Sequence, residues 1–206
     1  VNNGAGKRIQ PVGYAAGAAN YTTTTFDDFQ FIETDLYNLV GSGKEWFGDL
    51  FDFKLSYDYT LNFANINLAD TAFFQTRAVA RSSVANTTMV YKVNGAEVAN
   101  LKFAAVGSGS GNDHVTQEDD TLPFLPTSGT MQINATYKNN GNSSATAWLD
   151  YIEITVRRNL MLTENSMFFS DRRAFRAGGV AQFAIANSGT NLQLWDVTNH
   201  LQPRAV

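Results

Sequence analysis

Met131-Gln132-Ile133-Asn134-Ala135-Thr136-Tyr137-Lys138 alternates apolar with polar side chains at every step. A period of two places Met131, Ile133, Ala135 and Tyr137 on one face and the polar set on the other, which is a strand with one wet side. The pattern spreads outward from there. Over 148–156 the spacing predicts Trp148, Ile152, Ile154 and Val156 on one face, interrupted by Asp150, with Leu149 and Tyr151 thickening the other face. That strand is expected to be central and buried on both sides. Further strands are expected over 51–63, 71–81, 88–93, 96–106, 160–169, 181–186 and 192–197, and no long helical stripe interrupts them. Asn94-Gly95, between Val93 and Ala96, predicts a tight hairpin turn, since both residue types tolerate the positive φ of a type I′ turn. The Gly/Ser run from 107, the acidic stretch to Asp120 and the Pro123–Pro126 segment predict one long loop. Residues 139–144 and 187–190 predict two turns. Many short strands punctuated this way read as an antiparallel β-sandwich, not a parallel α/β sheet.

The composition supports a packed fold. Hydrophobic residues make up 44% of the 206 and charged residues 17%, which is far from the polar, charge-rich balance of disordered chains. The formal net charge of -4 comes without a basic stripe, so nucleic acid is not an expected partner. No stretch reaches the ~20 apolar residues that cross a bilayer, so no membrane span is expected. The opening Val1-Asn2-Asn3-Gly4 has neither an initiator Met nor a secretory hydrophobic region, and reads as a cut inside a longer protein. A weak boundary falls at Arg157-Arg158-Asn159, giving a sandwich over 1–158 and appended strands over 159–206 that lead to a downstream domain.

Catalytic parts are scarce. There is no Cys, and the two His, at 114 and 200, have no partner at metal-ligand spacing. No catalytic residue and no bound cofactor are expected. Asp113, Glu118, Asp119 and Asp120 gather carboxylates of the kind Ca²⁺ takes, and a solvated acidic loop explains them as well. Gly41-Ser42-Gly43-Lys44 lacks the full spacing of a phosphate loop. Tyr57, Tyr59, Tyr91 and Tyr151 offer rings for a sugar-stacking platform, against the ordinary alternative of core packing. Arg157, Arg158, Arg172, Arg173 and Arg176 concentrate positive charge, as a docking surface for another domain or as a solvated face.

Three segments carry a family resemblance. Ser42-Gly43-Lys44-Glu45-Trp46-Phe47-Gly48-Asp49, after Glu33-Thr34-Asp35 and Asn38, resembles the E-x-D, N and SG(K/R)EWFGE pattern of the PorU family, the type IX secretion sortases of Bacteroidetes. Asp49 stands where that pattern has Glu. Ala147 to Ile154 leading to Arg157-Arg158-Asn159-Leu160, and Leu194 to Thr198 with Pro203, are the second and third matches.

The resemblance covers nearly the whole chain. It implies the non-catalytic region before a gingipain-type cysteine peptidase domain, at the extracytoplasmic surface of the outer membrane. Partners would be that downstream domain and other secretion or surface-attachment components. Lys44, Glu45, Trp46, Gly48, Trp148, Asp150, Trp195 and Asp196 are the motif residues so implied, with Trp46 and Trp195 expected as buried anchors. The strand around Asp150 also resembles the last strand of galactose-binding-like jelly rolls. That implies a jelly-roll-like sandwich and keeps carbohydrate binding open as the alternative role. Asp70-Thr71-Ala72 and Asp120-Thr121-Leu122 resemble the Asp-Thr-apolar sequon for O-glycans, with Thr121 the better acceptor in its expected loop and Thr71 the lesser.

Overall fold

The structure, a computed structural model, describes residues 9–11, 13, 17–41, 43–107, 114–175, 179–189 and 191–206. Among the described residues fourteen strands run in the order β1 (Gln10–Pro11), β2 (Tyr21–Thr23), β3 (Thr25–Glu33), β4 (Leu50–Phe51), β5 (Ser56–Asn62), β6 (Ala72–Arg81), β7 (Thr87–Val93), β8 (Ala96–Phe103), β9 (Thr116–Phe124), β10 (Thr130–Lys138), β11 (Thr146–Asn159), β12 (Ala181–Phe183), β13 (Trp195–Asp196) and β14 (Arg204–Ala205). A 3-10 turn, Arg172–Ala174, stands between β11 and β12.

Two units divide the chain. Residues 25–159 form the sandwich, and residues 1–24 join residues 160–206 in the other unit. The expected division at 158/159 meets this boundary from the C-terminal side only. The first 24 residues, assigned by sequence to the sandwich, go elsewhere because β2 pairs in parallel with β12 and β1 with β14. Parallel pairing across more than 150 residues leaves no local signal, since neither partner is joined to the other by a turn.

The sandwich has two antiparallel sheets, ordered β5-β10-β7-β8 and β3-β11-β6-β9, with β4 added beside β11. Counted from β3 through β11 and leaving out β4, the eight strands fall in the orders 1-8-3-6 and 2-7-4-5. That is the double Greek key of a jelly roll. Inward side chains of both sheets make one core. Met131, Ile133, Ala135 and Tyr137 of β10 lie in it, with Met89 and Tyr91 of β7, Phe74 and Ala78 of β6, and Ile152, Ile154 and Val156 of β11. The alternation of 131–138 therefore has its expected buried face. The Asn94-Gly95 hairpin is also as expected, with φ of 49° and 85°.

Three expectations about strands fail. Pairing of β11 with β6 shifts register between Leu149 and Tyr151, so Asp150 is the extra residue of a β-bulge. A one-residue slip reverses the facing of everything beyond it. Trp148 consequently points away from Ile152 and Ile154, and it is Ala147 and Leu149 that share their core. The stretch expected as a single long loop contains β9, antiparallel to β6. An edge strand tolerates the charges and the proline that made it read as loop, because one of its sides needs no ladder. The expected strand over 160–169 is a single bridge at Met161 followed by irregular backbone.

Candidate functional site

The motif segment 44–49 lies on the outer face of the five-stranded sheet. An isolated bridge joins Tyr37 to Phe47, and the main-chain amides of Leu36 and Tyr37 both donate to the Phe47 carbonyl. This hairpin-like loop drops Phe47 onto Val79 and Trp148, forming a second small core with Leu39, Leu50 and Val115 around it. The bulge at Asp150 is what presents Trp148 to this outer cluster. Gly48 fits where no other residue does. Its amide donates to the Leu149 carbonyl at 2.6 Å, and a Cβ there would collide with Thr34 Oγ1 and stand 3.0 Å from the Thr34 carbonyl oxygen. Gly48→Ala is expected to destabilise the sandwich by about 1–3 kcal/mol, and a chemical-denaturation midpoint unchanged by it would refute the packing account.

Charge surrounds the loop. Arg77 reaches Glu45 Oε1 through Nη2 at 2.9 Å and Asp150 Oδ2 through Nε at 3.2 Å, and also donates to Gln117. Burial holds the Asp150 carboxyl above its ordinary range, outweighing Arg77, with Glu33, Glu45 and Asp35 pushing the same way. A raised folded-state value means that the ionised form costs stability at neutral pH. The cost fades as pH falls through that value towards the unfolded one. Asp150→Asn should therefore gain most over the parent near neutral pH, and the two melting temperatures should converge on acidification. A gap that widens in acid would contradict this. Asp49 accepts from the Tyr59 hydroxyl at 2.6 Å, and burial with that bond holds the Tyr59 phenol above its ordinary value.

Beside the loop is a cavity of about 480 Å³ whose lining includes Phe47, Val79, Glu45, His114, Gln117 and Glu118. Apolar and polar side chains share that lining. Thr116 also borders it, with its hydroxyl within donating distance of the Ala80 and Ala104 carbonyls.

The other residues singled out by sequence are dispersed. Asp113 lies outside the described residues. Glu118, Asp119 and Asp120 follow one another along β9, where successive side chains take opposite faces, so they do not converge as a Ca²⁺ loop would require. Among the described residues no three His, Cys, Asp or Glu gather as metal ligands. Thr121 is exposed but sits in β9 opposite Gln75, not in a loop, and Thr71 is exposed just before β6. Trp46 and Trp195, expected as buried anchors, are 44% and 51% exposed, and Lys44 is exposed too.

The four tyrosines make no common platform. Tyr91 is fully buried, Tyr57 donates to the Leu50 carbonyl and packs edge-on to Phe51, Tyr59 is tied to Asp49, and Tyr151 alone lies on the outer face. The arginines split as well. Arg157 is buried and holds Asp27 at 3.0 Å, and Arg158 holds Asp28 at 2.7 Å, so neither serves as a solvated docking charge. Arg176 lies outside the described residues.

Sequence reasoning missed the exposed rings Phe29 and Phe31 on β3 and Phe73 on β6. The register puts them on one face. Phe29, Thr155, Phe73 and Pro123 lie side by side across the sheet, and Phe31, Glu153, Gln75 and Thr121 make the next row. The signal was present in the alternation of Phe29 and Phe31 with Gln30.

With this geometry in place, the crystal structure of dimeric latent PorU from Porphyromonas gingivalis aligns with 97% of the chain at a TM-score of 0.81 and 15% sequence identity. The chain has the fold of a region of PorU. It spans 19% of that PorU chain. The CBM36-1 domain of a multidomain xylanase from the hindgut metagenome of Trinervitermes trinervoides aligns with 62% of this chain and 96% of its own, at a TM-score of 0.39 and 17% identity. A CBM36 module in complex with calcium and xylotriose aligns with 64% of this chain and 99% of its own, at 0.32 and 15%. Both overlaps are too loose to bear on a ligand here. No protein-family model matches the chain, and no curated protein sequence does.

Proposed function

We propose that the chain is a non-catalytic structural and docking module of a cell-surface sortase-type cysteine peptidase that processes type IX secretion cargo. In this reading the unit made of residues 1–24 and 160–206 packs on the peptidase domain of the same polypeptide. The observation that carries it is the surface of that unit. Phe168, Phe175 and Leu201 are 84%, 73% and 76% exposed, and Trp195 is half exposed, while Leu160 is the one buried hydrophobic residue among those described there. Exposed apolar side chains over so small a core suit a surface that packs against a partner.

The likeness to PorU supplies the partner's class. A peptidase domain would be held by aromatic anchors at the centre of the contact. Sedimentation velocity on the 206-residue chain mixed with a separately produced gingipain-type peptidase domain should give a complex at micromolar concentration, about -8 kcal/mol of association. Phe175→Ser with Trp195→Ser should weaken it by about tenfold or more. Two components that sediment independently at these concentrations would overturn the reading.

A further inference from the structure

The strand β3 is one edge of the five-stranded sheet and pairs with β11 alone. From Asp28 to Glu33 no main-chain-to-main-chain bond is made on its other side among the described residues, and the Gln30 side chain bonds the Asn62 main chain of β5. Six residues of open edge are a template for another chain, and natural sheets blunt such edges with lysines, prolines or bulges. The opposite edge, β9, is blunted in this way by Glu118, Asp119, Asp120 and Pro123. In β3 there is no Lys, no Pro and no register shift against β11. Its two aspartates are drawn away from the edge, Asp27 to Arg157 and Asp28 to Arg158. What remains outward is Phe29 and Phe31, each more than half exposed, with Glu33 at the end of the row.

The surrounding charge specifies what fits. Of the 19 acidic and 15 basic residues of the chain, 16 acidic and nine basic fall within residues 25–159. Glu33 has no ion-pair partner among the described residues, and Glu153, directly across from Phe31 on β11, accepts only from the Thr155 hydroxyl. The one cation in the neighbouring row, Arg77, is already engaged by Glu45 and Asp150. An incoming strand therefore meets aromatic rings followed by uncompensated carboxylate.

We propose that the β3 edge binds an extended basic segment of a protein partner by strand addition. Main-chain bonds form along Asp28 to Glu33, apolar side chains of the segment cover Phe29 and Phe31, and its Lys or Arg side chains meet Glu33 and Glu153. Main-chain pairing supplies affinity in such complexes, and the alternate side chains supply selection. The site is distinct from the apolar surface of the other unit and stands whether or not that surface docks a peptidase domain.

A labelled, blocked heptapeptide with lysine at its two ends, phenylalanine at its third and fifth positions and threonine elsewhere tests this by fluorescence anisotropy on the full chain. Saturable binding is expected, weakening as salt screens the carboxylates. The same peptide with glutamate in place of lysine should bind about tenfold less tightly or worse. Hydrogen exchange at amides 28–33 should slow when the lysine peptide is present. Phe29→Ser with Phe31→Ser should weaken the complex by about tenfold or more. Glu33→Lys, an exposed change that leaves the core untouched, should weaken the lysine peptide and favour the glutamate one, which keeps the test open even if the double serine variant folds poorly. No binding of the lysine peptide, equal binding of both peptides, or unchanged exchange at 28–33 would overturn strand addition. Binding of cellohexaose that vanishes in the double serine variant would likewise overturn it, assigning the rings to a sugar.

Discussion

Arg157→Ala is expected to cost the sandwich about 3–5 kcal/mol, the usual consequence of breaking a buried pair from one side. The guanidinium is 3% exposed and faces Asp27 at 3.0 Å, Asp70 at 3.9 Å and the Thr25 hydroxyl at 2.6 Å. It thereby joins the end of β11 to the start of β3 and to the loop before β6. Removing it leaves the partly buried carboxylates of Asp27 and Asp70, 16% and 22% exposed, without the guanidinium that offsets their desolvation. Against a typical total of about 5–15 kcal/mol, that loss threatens folding itself. The effect should be visible as a large fall in the urea midpoint, with an unchanged slope. A fall within about 0.5 kcal/mol, the range of ordinary surface changes, would show that the pair is not the tie described.

The second large effect is expected at Trp148. Trp148→Ala removes the ring on which Phe47 and Val79 close and should cost about 3–5 kcal/mol. Trp148→Phe separates ring from donor, because the indole N–H has no acceptor among the described residues. Keeping an aromatic ring while deleting an unpaired buried donor should recover most of the loss. If the Phe variant melted as low as the Ala variant, packing would not be the reason for Trp148.

The parts of this fold that sequence makes visible are those where period two and local turns act together. β10 alternates without a break, and the Asn94-Gly95 turn sets its own hairpin, so both can be read from a dozen residues. The bulge at Asp150 cannot be read that way. A register slip is decided by the strand across the ladder, and it moved Trp148 to the face opposite its expected neighbours. β3 and β9 hide behind aspartates and glutamates that compositional reading assigns to loops. In β3 those charges are neutralised by Arg157 and Arg158, more than 120 residues away in sequence.

The motif residues divide on the same line. Glu45, Gly48 and Asp150 do sit together on the outer face around Phe47 and Trp148, whereas Trp46 and Trp195 are exposed. A large aromatic in a family-like motif says that the ring is used, not whether it is used inside the domain or against something else.

Hydrogen–deuterium exchange of the chain, alone and mixed with the gingipain-type peptidase domain, tests the docking account most directly. The account predicts slower exchange in the segments around 168–175 and 192–201 when the domain is added, while the sandwich core strands β7 and β10 stay as they are. Unchanged exchange in those two segments at saturating peptidase domain would contradict it.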